Sequence, residues 1–329
     1  MLLLSHLSFF LLNSKARLSW KKFRSGKTRQ FRCEMWKNIC LIVLVLLILL
    51  ILLYRHLLAT YFSSYDTCLR HCIRYVSPGN DFMNYGLWLT EGDTLERANL
   101  RLIEFVWQKT EVAKRKNRIL DVGCGYGRQD YEWAKHLDTS SESLLTAVDL
   151  SHEQIYYALD HYRCDGVEFD IGDAMCLDKR YKPDSFDVIL SLESAFHYSD
   201  RPRFFSNVHR LLGKDSVFVI TDIVLNDHVQ RTFGLSLFLK VFSDFLRIPK
   251  ANHLSARQWE KQLEAAGLQV IEHIDLTDKT FAPYYRFFMQ TFAAEQGLPT
   301  SVGDSLISFF TRYQPFSYRL AVCKKRGPC

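Results

Sequence analysis

The stretch ILDVGCGYGRQ, Ile119–Gln129, constrains the fold of this chain more than any other. An apolar run ends on an acid, Asp121, and glycines follow at 123, 125 and 127 before the polar start of a helix. Glycine lets the backbone turn sharply and approach a ligand with no side chain in the way. A helix amino terminus adds free N–H groups and the positive end of a dipole. A strand, a glycine turn and a helix in that order open a βαβ unit, which commits the chain to a parallel sheet.

The pattern continues downstream. Apolar runs place strands at Arg118–Val122, Leu144–Asp149, Val167–Ile171, Phe186–Leu192, Ser216–Thr221, Gln269–Asp275 and Phe316–Cys323. Amphipathic helices are expected at Arg128–His136, His152–His161, Arg201–Leu212 and Ala256–Ala266. Upstream, Leu95, Ala98, Leu102, Ile103 and Val106 carry helical spacing, so residues 63–114 read as cap helices and residues 115–329 as the catalytic domain. An insertion at residues 226–253 follows the fifth strand, with Phe233, Phe238, Phe242 and Phe245 as candidates for a substrate lid, and an aromatic run spans Phe281–Phe292.

The glycine spacing discriminates between cofactors. A dinucleotide loop reads G-x-G-x-x-G, whereas here the third glycine comes one residue early and Arg128 takes its place. Asp121 would repel a pyrophosphate but suits the cationic amino group of a methionine moiety. Two further acids end successive strands: Asp149 in AVDLS, where a carboxylate can accept ribose hydroxyls, and Asp173 in IGDAM. Asp173 can accept from an adenine amino group while Ala174 and Met175 pack on the ring. Ligands of open α/β sheets bind at this end of the strands.

With ILDVGCGYG, AVDLSHEQI, IGDAMCL and SFDVILSLESAFHY in order, the sequence resembles the class I S-adenosylmethionine-dependent methyltransferases over roughly Asp81–Lys324. The resemblance implies a Rossmann-like α/β fold of seven strands in the order 3-2-1-4-5-7-6, strand 7 antiparallel, with helices on both faces and a helical cap. It implies S-adenosyl-L-methionine as cofactor, held by Asp121, Gly123, Gly125, Gly127, Gln129, Asp149, Asp173, Ala174 and Met175. NYGLW, Asn84–Trp88, and the insertion look like the small-molecule branch that holds sterol, tocopherol and cyclopropane-fatty-acid-type enzymes. In that branch the upstream aromatic motif closes over the cofactor, which makes Tyr85 and Trp88 candidates; packing of a cap helix is the alternative for Trp88.

A methyl sulfonium is already electrophilic, so the protein mainly aligns a nucleophile and excludes water. Glu193 and His197 lie four apart after the fourth strand, beside the reactive end of such a cofactor. His197 is the candidate base, with an unperturbed pKa near operating pH. Glu193 would orient it or stabilise positive charge.

The amino-terminal part reads differently. Ile39–Tyr54 is ICLIVLVLLILLILLY, without a charge, and residues 39–62 are expected to form a single transmembrane anchor. Residues 1–38 form a basic segment: nine Lys and Arg stand between Asn13 and Asn38 against Glu34 alone. They exceed the formal net charge of +6, so the remainder is close to neutral and gives no support to nucleic-acid binding. The positive-inside rule puts those basic residues in the cytoplasm and the catalytic domain outside, whereas the need for an intracellular cofactor favours a cytoplasmic domain. A start at Met35 would reconcile the two, as would insertion of Met1–Leu12 into the bilayer. Nine cysteines at irregular spacing read as reduced thiols, with no metal pattern.

The expected activity is therefore methyl transfer to a small, apolar or lipid-like acceptor at a membrane. The rival readings are an inactive membrane adaptor that keeps the fold and an NAD-linked oxidoreductase, which the early third glycine and Asp121 oppose. Where nucleic-acid and protein methylating relatives carry an Asn/Asp-Pro-Pro-aromatic motif, this chain has LESAF, Leu192–Phe196.

Overall fold

A computed structural model describes residues 65–110, 118–137, 143–226, 246–295 and 314–327, with Leu239, Ser243, Asp244 and Gly297 in addition. Seven strands form one sheet: β1 (Arg118–Val122), β2 (Leu144–Asp149), β3 (Val167–Ile171), β4 (Phe186–Leu192), β5 (Leu212–Leu225), β6 (Leu268–Asp275) and β7 (Phe316–Lys325). Their order is β3-β2-β1-β4-β5-β7-β6. The first five run parallel, and β7 lies antiparallel to both β5 and β6.

The central strands are buried on both sides, which is why their sequences are continuous apolar runs rather than alternating ones. In β1, Ile119 joins one core and Leu120 and Val122 the other. The first core packs beneath helices α2 (Leu95–Gln108), α3 (Arg128–Ala134), α4 (His152–His161) and α8 (Thr277–Glu295). The second packs beneath α5 (Leu177–Arg180), α6 (Arg201–Leu211) and α7 (Ala256–Ala265). Local chemistry sets the helix starts: Thr94, Ser151 and Ser255 accept backbone N–H bonds three residues on, and Ser255 forms a capping box with Gln258.

The expected strands, order and antiparallel β7 are all found. β5 is longer than the expected Ser216–Thr221, because Leu212 pairs with Phe186 and Asp222–Leu225 pair with β7. The cap is two helices, α1 (Tyr65–Val76) and α2, joined by an irregular segment at residues 77–94 that carries Asn84–Trp88. Leu95, Ala98, Leu102, Ile103 and Val106 are all buried on α2 as their spacing required. Among the described residues no helix is long and apolar enough to cross a membrane. The expected anchor at residues 39–62, the basic segment at residues 1–38, and Phe233, Phe238, Phe242 and Phe245 lie outside them.

Candidate active site

Three strand ends converge on the glycine loop. The Gly123 and Cys124 amides donate to the Val148 carbonyl, 2.7 and 3.2 Å away, which folds the loop over the end of β2. Asp149 completes the tie: Oδ2 accepts from the Gly125 amide at 3.0 Å and Oδ1 from the Ser151 amide at 2.9 Å. Gly123, Gly125 and Gly127 all have positive φ, at 88°, 61° and 79°.

Their spatial reasons differ. A Cβ on Gly123 would stand 1.8 Å from Ser194 Oγ, and one on Gly127 would stand 2.6 Å from Ala158 Cβ. Those two glycines let the loop pack against the protein's own side chains. Only at Gly125 is the approach open, with Met83 Cγ at 3.6 Å as the nearest atom.

Asp121 is fully buried at the end of β1. Its Oδ2 accepts from Gln129 Nε2 at 2.5 Å, so Gln129 acts by fixing the carboxyl. No described donor other than the neighbouring Asp130 carboxyl, which bonds to Asp121 when it carries a proton, reaches Oδ1. Burial pushes the carboxyl up to about 7, and that of the buried neighbour Asp130 is also raised well above the usual carboxylate range, by burial and by Asp121. A buried, half-satisfied carboxylate is costly unless a ligand supplies a donor or a cation. Asp121 and the open side of Gly125 thus fit the ammonium end of S-adenosyl-L-methionine.

Asp173 caps a short turn, its Oδ1 accepting from the Met175 amide at 2.8 Å. Ala174 is buried beneath it, with its carbonyl held by Asn207 Nδ2 at 3.0 Å, and Met175 packs at the edge of the second core. The carboxylate ends of β1, β2 and β3 therefore present Asp121, Asp149 and Asp173 in series, as expected.

Beyond β4, Glu193 adopts φ 51° and its amide donates to the Thr221 carbonyl at 3.2 Å and to Thr221 Oγ1 at 3.1 Å. Its Oε1 accepts from the Tyr85 amide at 2.9 Å and the Tyr318 hydroxyl at 2.7 Å. Burial raises this carboxyl to about 8, against the opposing pull of those two donors. His197 lies on a separate short turn, with Nδ1 3.3 Å from the Arg247 carbonyl, and burial lowers it to about 4. Glu193 therefore does not orient His197, contrary to the i, i+4 expectation: the left-handed residue breaks the helical face that this spacing assumed.

Tyr85 brings the cap segment to Glu193. Its ring meets Phe281 and Tyr284 edge-on at centroid distances of 4.9 and 4.8 Å. Trp88 is the packing aromatic of the pair: its indole donates to the Tyr85 carbonyl at 2.8 Å and it packs with Ile73, Val76, Leu95 and Ala98. The cap is further clasped by Asp81, which accepts from Arg74 Nη2 at 2.6 Å and from the hydroxyls of Tyr157 and Tyr162 at 2.9 and 2.7 Å.

Sequence reasoning missed Tyr318, Asp130 and Asp81. Asp130 was the most accessible of these, an acid three residues before Trp133 on the face of α3 that is buried. Among the described residues no group of acids, histidines or cysteines is placed to hold a metal.

Comparison with known proteins agrees. A protein-family model described as a methyltransferase domain matches residues 113–275. The O-methyltransferase rstn1 of Aspergillus nomiae is 30% identical over 203 residues, 60% of this chain and 84% of the relative. The methyltransferase GfsG of Streptomyces halstedii is 29% identical over 207 residues, 61% of this chain and 70% of the relative. The fold matches geranyl diphosphate C-methyltransferase from Streptomyces coelicolor A3(2), solved with S-adenosyl-L-homocysteine, at a TM-score of 0.58 and 20% identity over 79% of this chain and 98% of that one. This chain belongs to the class I S-adenosyl-L-methionine-dependent methyltransferase family, acts on a small molecule, and uses S-adenosyl-L-methionine as its cofactor.

Proposed function

We propose that the chain methylates a small, apolar or lipid-like acceptor at a membrane, held there by residues 39–62 with the catalytic domain on the cytoplasmic side. The observation that carries this reading is the setting of Glu193. One carboxyl stands beside Tyr85 and Tyr318, in a core that also holds Phe281, Tyr284, Leu246 and Ile248. Such a wall excludes water and gives an apolar acceptor its binding energy.

S-adenosyl-L-methionine supplies an electrophilic methyl on sulfur. Asp121 Oδ1 takes the ammonium of its methionyl part, with Gln129 fixing the carboxyl and Gly125 giving backbone access. Asp149 accepts from the ribose hydroxyls beside the glycine loop that it ties to β2. Asp173 accepts from the adenine amino group, and Ala174 and Met175 pack on the ring. Gly123 and Gly127 shape the loop, and Tyr85 closes the site from the cap.

Burial holds His197 neutral, with Nδ1 facing the Arg247 carbonyl, and the neutral imidazole is the group that removes the acceptor proton. Glu193, raised to about 8 by burial, is mainly protonated at neutral pH; in its ionised form it stabilises positive charge developing on the acceptor or takes a proton from it.

The test is transfer of a labelled methyl group from S-adenosyl-L-methionine by the full chain in vesicles, offered a total lipid extract or a pool of water-soluble metabolites. Label in the organic phase, lost with Glu193→Gln and His197→Ala, is the expected result. Label confined to water-soluble products would overturn the lipid-like acceptor while leaving the family assignment intact.

A further inference from the structure

Glu193 spends both of its described carboxyl hydrogen bonds on one oxygen. Oε1 accepts from the Tyr85 amide and from the Tyr318 hydroxyl, and no described residue bonds to Oε2. The two donors come from opposite directions in the chain. Tyr85 belongs to the cap segment, and Tyr318 stands fully buried on β7, 125 residues beyond Glu193.

Tyr318 is itself tightly placed. It pairs with Ile223 across the β5–β7 ladder, its amide donates to Thr277 Oγ1 at 2.9 Å, and its carbonyl accepts from the Leu276 amide at 3.0 Å. Its ring meets Phe281 edge-on at 5.9 Å. The hydroxyl is thus carried on a fixed ring, whereas the glutamate carboxyl would otherwise turn about its terminal torsion, a broad and roughly two-fold one.

We propose that Tyr318 is a positioning residue for methyl transfer: with the Tyr85 amide it locks Oε1 of Glu193 and leaves Oε2 as the one carboxyl oxygen presented to the acceptor. The proton that Glu193 binds then resides on Oε2, because Oε1 already accepts twice. The same atom donates to a neutral acceptor at low pH and accepts from it at high pH. Tyr85 supplies the second donor only while the cap segment is in place, so the lock is complete when the cap is closed. The proposal rests on the role given to Glu193 above.

A hydrogen bond to the ionised form lowers an acid's pKa, and Tyr318 acts in that direction on Glu193. Removing it should raise the Glu193 midpoint by about 1 unit. The experiment is a pH titration by NMR of the full chain labelled with carboxyl-13C glutamate and saturated with S-adenosyl-L-homocysteine. Wild type, Tyr318→Phe and Glu193→Gln are compared, the last identifying the resonance by its disappearance. Labelled-methyl transfer into a lipid extract is measured on the same three proteins.

The expected result is an upward-shifted Glu193 midpoint in Tyr318→Phe and a roughly tenfold fall in turnover, with cofactor affinity within about threefold of wild type. An unchanged midpoint and turnover in Tyr318→Phe, with Glu193→Gln inactive, overturns this proposal and leaves the role of Glu193 standing. A fully active Glu193→Gln overturns both. If Tyr318→Phe does not fold, exchange of the Tyr318 hydroxyl proton gives the same decision. Slow exchange in wild type that becomes fast in Glu193→Ala, which removes the acceptor, supports the lock, and fast exchange in wild type refutes it.

Discussion

Asp121 should trade stability for cofactor binding, and replacing it with asparagine should separate the two. Burial raises its pKa from 3.8 to about 7, with Gln129 pulling the other way and the charge of Asp149 adding to the rise. At about 1.36 kcal/mol per unit, a rise of roughly three units is worth ~4 kcal/mol. Between about pH 4 and pH 7 the folded protein keeps a proton that the unfolded chain has released. Stability therefore falls as pH rises through that window, and the full ~4 kcal/mol is missing above it. Asp130 is raised in the same direction by burial and by the charge of Asp121, so the two carboxyls oppose each other's ionisation.

Asp121→Asn keeps an oxygen for Gln129 Nε2 and removes the ionisation. Without cofactor, the variant should exceed wild type by about 2 kcal/mol at pH 5 and by up to ~4 kcal/mol at pH 8. It should also lose most of its affinity for S-adenosyl-L-methionine, because Oδ1 no longer offers a charge to the ammonium. Thermal unfolding at the two pH values measures the first effect. Calorimetry in buffers of different ionisation enthalpy measures the second, with release of about half a proton per cofactor bound by wild type at pH 7 and none by the variant. A variant less stable than wild type at pH 8, or cofactor binding by wild type without proton release, would refute this reasoning.

Gly123→Ala should cost roughly 2–5 kcal/mol in urea unfolding, since its Cβ collides with Ser194 Oγ at a positive φ and Ser194 is held 2.8 Å from the Tyr198 hydroxyl. Gly125→Ala meets only Met83 at 3.6 Å, so it should cost roughly 1–2 kcal/mol while weakening S-adenosyl-L-homocysteine binding at least tenfold; equal stability losses for the two would count against the loop description. Burial holds His197 at about 4, so the pH profile of turnover should show no limb from it between about pH 6 and 7. A limb there that vanishes in His197→Gln would show that the imidazole is solvated. Asp81→Ala leaves the Tyr157 and Tyr162 hydroxyls and Arg74 without their shared acceptor, and should speed amide exchange in α1 by about tenfold or more, with β1 unaffected. Exchange that rises equally in both would mean that Asp81 supports the whole fold rather than the cap.

The cofactor end of this site was readable because its residues follow from strand geometry. A strand buried on both faces must be an apolar run, and the acid that ends it must sit at the sheet's carboxyl edge; Asp121, Asp149 and Asp173 are placed by that rule alone. At two of the glycines the loop also meets the protein's own atoms: a Cβ at Gly123 or Gly127 would collide with Ser194 or Ala158, and a sequence does not display which atoms a loop will meet.

The acceptor end was less legible because it is assembled across the chain. Glu193 and His197 looked like one face of the turn after β4, but a left-handed Glu193 followed by a short turn at Ala195–His197 sends the two side chains to different partners. The group that does hold Glu193 comes from β7, where the only local mark of Tyr318 is an apolar strand residue that also carries a hydroxyl. Burial gives that hydroxyl its value, since an unpaired phenol in the core would be costly and a paired one fixes its acceptor. A tyrosine in the interior of the last strand is therefore worth weighing with the residues after β4 whenever β7 runs back antiparallel beside β5, because that topology brings its hydroxyl to the residue that follows β4.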